Sequence, residues 1–206
     1  MKMTIGLTYA KLKELKPCAD SQKRVAKLLG GETAWNGRVV TADEARKAGC
    51  TFDDLVWAAS SIAQSNPDVE RRLRLWLADC AACVLHIYEK TGGSLAPRAA
   101  IVASRQFARG EITDAARAAA GAAAWPAAWA AAGAAAGAAA GAAAWAAAGA
   151  ADWAAAGAAA GAAAWAAAGA ADWAAEETWQ FDRLIARLSD DEPEDWPLPP
   201  QKKNGV

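Results

Sequence analysis

Between residues 8 and 112, apolar side chains recur at spacings of three and four, and glycine, proline and helix-capping residues punctuate them. That pattern predicts a series of short amphipathic helices. Thr8 can cap a first helix reaching Lys16, with Leu12 and Leu15 on one side and Pro17 beyond it. Asp20 or Ser21 can cap a second, carrying Val25, Leu28 and Leu29 and stopped by Gly30-Gly31. Asn36-Gly37, flanked by Trp35 and Val39-Val40, predicts a tight turn and a small hairpin over 32–40. Thr41 and Glu44 form a capping box at the head of a short helix ending near Gly49. Thr51 opens the next helix, with Asp53 and Asp54 at its positive end and Phe52, Leu55, Val56, Ala59, Ile62 and Ala63 at helical spacing. Asn66-Pro67-Asp68 starts a longer helix to about residue 90, on which Val69, Leu73, Trp76, Leu77, Cys80, Cys83, Val84 and Ile87 share the apolar side. Pro97 opens another, bearing Ala100, Ile101, Ala103, Ser104 and Phe107 and closed by Gly110.

From Thr113-Asp114 onward the pattern changes. Every fourth residue from Gly121 to Trp173 is glycine or tryptophan, and almost everything between is alanine. Alanine is the best helix former, so helix is expected despite a cost of about 1 kcal/mol per glycine. One straight helix from 114 to 188 would be about 110 Å long. The expectation is therefore a tract folded back as antiparallel helices, with breaks near Pro126 or within Gly133–Gly141. Residues four apart are offset by about 40° on a helix, so the Gly/Trp stripe winds around the axis and cannot form one flat face. Gly133, Gly137 and Gly141, and again Gly157 and Gly161, would let another helix approach closely. Residues 141–153 recur identically at 161–173, so tandem duplication accounts for part of this regularity.

The fold class expected is all-α, in three regions: a helical domain over 1–112, an Ala/Gly/Trp repeat region over 113–189, and an acidic, proline-rich tail over 190–206. Net charge is −1, but it is unevenly spread. Residues 1–117 carry 18 basic and 13 acidic side chains, residues 118–175 only two acids, and residues 176–206 four basic and eight acidic. The basic excess at the front is too small to predict nucleic-acid binding, and Arg71, Arg72 and Arg74 spread over different helix faces. Residues 118–151 are uncharged and long enough to span a bilayer, yet they lack Leu, Ile, Val and Phe, so no membrane span is expected. Met1–Gly6 has no apolar signal-type segment, and four cysteines then suggest free thiols in a cytoplasmic protein.

Chemistry-bearing patterns are few. Cys80, Cys83 and His86 follow one another at helical spacing, and a zinc site there would need a fourth ligand such as Cys18 or Cys50. Both cysteines fall on the apolar side, where Cys behaves as a small hydrophobe, so no metal and no cofactor is expected. His86 is the only histidine and has no evident nucleophile partner. Asp53-Asp54 is explained by the helix start. No phosphate-binding glycine loop or nucleophile elbow occurs, so no catalytic residue is assigned and no enzyme is expected. The candidate interaction residues are the repeat tryptophans Trp125, Trp129, Trp145, Trp153, Trp165 and Trp173.

Several segments together resemble a known family: Pro17-Cys18-Ala19-Asp20-Ser21-Gln22; Val40-Thr41 with Ala45 and Gly49; Phe52 to Ala59; Ala99-Ala100-Ile101; and Phe107 to Ile112. They resemble the immunity proteins of bacteria and their phages, whose helical front domain also runs into Ala/Trp/Arg-rich repeats. This chain departs in having glycine where relatives have Arg or Trp. The resemblance implies binding and neutralising a toxin and carries over no site residues. The function expected is a non-catalytic protein-binding factor, of the toxin-immunity or phage counter-defence kind, with a toxin or defence protein as partner. The alternative is a structural or self-assembling module whose Gly/Ala helix faces pair between copies.

Overall fold

The computed structural model describes residues 5–90, 94–133, 173–189 and 192–200. Over these residues the fold is all-α: nine helices and one two-stranded ladder. The helices are α1 (Tyr9–Glu14), α2 (Ala19–Leu28), α3 (Glu32–Trp35), α4 (Ala42–Lys47), α5 (Phe52–Ala63), α6 (Pro67–Glu89), α7 (Ala96–Ala108), α8 (Asp114–Gly133) and α9 (Trp173–Leu188). Strands β1 (Gly6–Leu7) and β2 (Val40–Thr41) pair antiparallel, with Gly6 opposite Thr41 and Leu7 opposite Val40. Among the described residues no helix is long and apolar enough to cross a membrane.

Caps set most boundaries. Thr8, Thr41 and Thr51 each accept a backbone N–H three residues on, and Glu44 and Asp54 complete capping boxes with the latter two. Asn66 Oδ1 accepts the Asp68 and Val69 amides at 3.1 and 3.3 Å, starting α6. Three elements differ from the sequence expectation. Helix α1 stops at Glu14, and Lys16 turns to φ 51, because the residue before a proline is pushed out of the helical region. Cys18, not Asp20 or Ser21, is the N-cap of α2. No local hairpin forms over 32–40. Residues Glu32–Trp35 make a helical turn, Gly37 adopts φ 76, and Val40–Thr41 pairs with the distant Gly6–Leu7. The reason is Trp35, 1% exposed, whose indole N–H donates to the Leu7 carbonyl at 3.0 Å and whose ring meets Tyr9.

The chain divides into two compact units, Met1–Leu73 with Phe181–Pro193, and Arg74–Gln180 with Glu194–Val206. In the first, Tyr9, Leu12, Ala26, Leu29, Trp35 and Val40 form a core beneath the ladder. Phe181 packs on Phe52, and the Arg46 guanidinium lies over the Phe181 ring. Arg72 donates to the carbonyls of Arg187 and Ser189, capping the end of α9 with positive charge. Arg71 holds Glu192 through two bonds of 3.0 and 2.7 Å.

In the second unit, α7 packs on α8, and Ala100 and Ala124 are both fully buried where small side chains allow close approach. Arg74 and Arg117 both stack over Phe107. Trp76 Nε1 donates to the Gln180 carbonyl at 3.0 Å. Helix α8 runs through Pro126 without ending there, so the break expected at that proline is absent. The break expected within Gly133–Gly141 lies outside the described residues from 134 onward.

Residues 192–200 are not the exposed tail that their acidity and prolines predict. Glu192, Asp195, Trp196 and Pro199 each engage an arginine.

Two substitutions test these local determinants. Removing the cap hydroxyl in Thr51→Ala should cost about 1 kcal/mol. Gly6 lies where an added Cβ would come within 2.7 Å of the Val40 carbonyl oxygen, so Gly6→Ala should cost about 1–3 kcal/mol by splaying the ladder. Both are read as a lowered urea midpoint; an unchanged midpoint for Gly6→Ala would contradict the close approach of the strands.

Candidate functional site

The first unit contains a crevice of about 90 Å³, and its construction follows from helix periodicity. Helix α2 presents Ser21, Gln22 and Val25 to it, and α5 presents Asp54, Leu55, Ala58, Ala59 and Ile62, one face of each helix. Gly6 and Leu7 of β1, Val40 and Thr41 of β2, and Ala42 and Ala45 of α4 close another side. Leu12, Trp35 and Leu55 are buried in its wall, whereas Trp57 lines it while remaining 38% exposed. The small side chains Ala42, Ala45, Ala58 and Ala59 leave the space open; larger residues there would fill it.

Two polar groups define the electrostatics. Asp54 closes the α5 capping box, accepting the Thr51 amide at 2.8 Å, and also accepts from Arg24 of α2 at 2.5 Å. Burial alone would raise its carboxyl pKa, but the bonds from Arg24 and Thr51 outweigh this and hold it below the ordinary carboxylate value. Cys50 is 5% exposed, and burial, reinforced by the Asp54 charge, pushes its thiol pKa up. A thiol so shifted stays protonated near neutrality and is a poor nucleophile. The acid pair proposed as helix-start residues behaves as such: Asp54 is a capping residue, and Asp53 is exposed. The crevice therefore offers an apolar recess with one neutralised ion pair at its wall, which suits holding an apolar group.

The other sequence candidates lie elsewhere. Cys80, Cys83 and His86 all sit on α6 in the second unit, whereas Cys18 and Cys50 belong to the first. Cys80 is buried and Cys83 half-buried, while His86 is exposed with its Nδ1 2.9 Å from the Cys83 carbonyl. Among the described residues no three His, Cys, Asp or Glu side chains converge as metal ligands do. Of the repeat tryptophans, Trp125 and Trp129 fall within α8 and Trp173 opens α9; Trp145, Trp153 and Trp165 lie outside the described residues. Arg71, Arg72 and Arg74, the tight basic cluster, are engaged by Glu192, by the end of α9 and by Phe107, respectively.

Sequence reasoning missed the crevice, because its residues come from nine elements and none is chemically unusual. It also missed Asp79, fully buried and bonded to Arg105 at 3.0 Å. A signal existed there: an acid inside the run Trp76-Leu77-Ala78-Asp79-Cys80, where every neighbour is apolar.

Thiol chemistry and acid titration test this geometry. Cys18 is exposed, and hydrogen bonding with the Ser21 side chain and backbone lowers its pKa, so iodoacetamide at neutral pH should label Cys18 well before Cys50, as read by peptide mass spectrometry. Asp54, Asp68 and Glu192 all have depressed pKa values, in each case because arginine contacts outweigh burial. The stability they contribute should be complete above the unfolded carboxyl values of about 4 and lost as pH falls through the lower folded-state values. Asp54→Asn should flatten that acid limb; an unchanged pH profile of the urea midpoint would count against the Arg24–Asp54 contact.

No family model, curated protein or solved structure matches this chain.

Proposed function

We propose that the chain is a non-catalytic binding protein that captures a protein partner by admitting one of the partner's aliphatic side chains to the crevice of the first unit. The carrying observation is size and lining together: about 90 Å³ of space, walled by Leu, Val, Ile, Ala and Trp, with the half-exposed Trp57 as part of its lining. An apolar cavity of about 150 Å³ holds one benzene ring, so this recess suits a single aliphatic side chain rather than a nucleotide or a cofactor. A pocket that takes one anchor beside an exposed indole is the usual form of an interface hot spot. The engaged Asp54, the protonated Cys50 thiol and the placement of His86 in the other unit supply binding chemistry rather than acid–base or nucleophilic chemistry at this recess.

Among binding roles, neutralising a toxin or countering a defence protein fits best, because the helix-packing segments that line the crevice include those resembling immunity proteins: Ser21-Gln22, Val40-Thr41 with Ala45, and Asp54 to Ala59. Co-expression with a toxin encoded beside this gene should restore growth. Trp57→Ala, and Ala45→Leu, which fills the recess, should each weaken the partner's binding at least about tenfold in titration calorimetry, with helical circular dichroism unchanged. Full protection by both variants would sink the crevice as the binding site.

A further inference from the structure

Three arginines on one side of α7 meet the C-terminal segment in reverse order. Arg109 pairs with Asp195, Arg105 donates to the Trp196 carbonyl at 2.7 Å, and Arg98 donates to the Pro199 carbonyl at 2.5 Å. The spacing 98, 105, 109 keeps the three on neighbouring turns of one helix side, spanning about 16 Å. Four residues of extended, polyproline-like chain span about 12 Å, which long guanidinium arms can match. The segment therefore runs antiparallel along α7.

The protein side of this contact is prebuilt. Asp79 of α6 is fully buried and accepts from Arg105 at 3.0 Å and from the Trp196 backbone N–H at 2.8 Å. Both backbone groups of Trp196 are thus read, its N–H by Asp79 and its carbonyl by Arg105. Arg98 is fixed by two bonds of 2.7 Å to Glu89. The Trp196 ring meets Trp179 edge-on at 4.9 Å. The segment itself is peripheral: Asp195, Trp196, Leu198 and Pro199 are only half-buried, and Glu194, Pro197 and Pro200 are exposed. If the segment left, Asp79 and Arg105 would still neutralise each other. Prolines 197, 199 and 200 keep it extended, so docking costs little chain entropy.

We propose that the arginine side of α7, with Asp79 beneath it, is a peptide-binding groove for an extended Asp-Trp-Pro-x-Pro segment, and that residues 195–199 occupy it as a releasable latch. Released, the groove accepts a segment of the same chemistry from outside the chain.

Two measurements on the full-length protein test this. In the wild type, the Trp196 amide should exchange with deuterium at least about a hundredfold faster than the amides of Leu77–Val84, because a latch opens locally while α6 does not; equal protection would show a fixed part of the core and overturn the proposal. Trp196→Ala weakens the latch, so a labelled peptide of sequence EPEDWPLPP should bind that variant at least about tenfold more tightly than it binds wild type. Adding Arg98→Gln and Arg109→Gln should remove that gain by fluorescence anisotropy. Equal affinities across the three proteins would also overturn it. Should Trp196→Ala lose its helical circular dichroism, the exchange measurement on wild type decides alone.

Discussion

Helix α6 carries a stretch, Leu73 to Ala82, in which every residue is buried, Arg74 and Asp79 included. A surface helix needs one apolar side; a helix enclosed on all sides must also find partners for each polar atom it carries inward. The structure meets that demand with specific bonds. Trp76 gives its indole N–H to the Gln180 carbonyl, Asp79 receives Arg105 and the Trp196 amide, and Arg74 lies over the Phe107 ring. Because a buried acid without a partner costs several kcal/mol, Asp79 depends first on Arg105, and the Trp196 amide adds a second donor. Contacts between residues more than a hundred positions apart in sequence thus add to the bonds of α6.

Arginine recurs as the means by which this chain closes on itself. Arg71 takes Glu192, Arg72 takes the carbonyl end of α9, Arg187 takes Glu192 and the Pro193 carbonyl, and Arg98, Arg105 and Arg109 take the last described residues. A planar guanidinium with five donors in a rigid fork can hold a carboxylate through two parallel bonds and still give an N–H to a backbone carbonyl. The mild basic excess of residues 1–117 and the acidity after residue 176 are complementary within one molecule. That changes the meaning of both: charge that resembles an outward-facing surface in the sequence is partly internal adhesive.

Local structure was largely legible. Thr41-x-x-Glu44, Thr51-x-x-Asp54 and Asn66-Pro67-Asp68 specify helix starts by chemistry within four residues, and each start is where the caps place it. The all-α class followed from three- and four-residue apolar spacing. The region from 32 to 40 was not legible, because Asn36-Gly37 is compatible with a hairpin and only the burial of Trp35 against Leu7 selects a helical turn and a distant strand partner. The crevice was hidden for the same reason. Ala45, Cys50, Ala58 and Val25 are ordinary residues, and the space among them is a property of where the elements meet.

The amino-acid sequence by itself determined the helix starts at Thr8, Thr41, Thr51 and Asn66, because capping bonds and helical periodicity act over a few residues. It also determined the charge asymmetry and the unusual acid at position 79. Tertiary structure alone decided that Asp79 meets Arg105 and Trp196, that the acidic proline-rich segment lies along α7, and that small residues from separate elements enclose a recess. Those outcomes depend on the packing of groups far apart in the chain, and no local spacing encodes which distant partner will be close enough to bond.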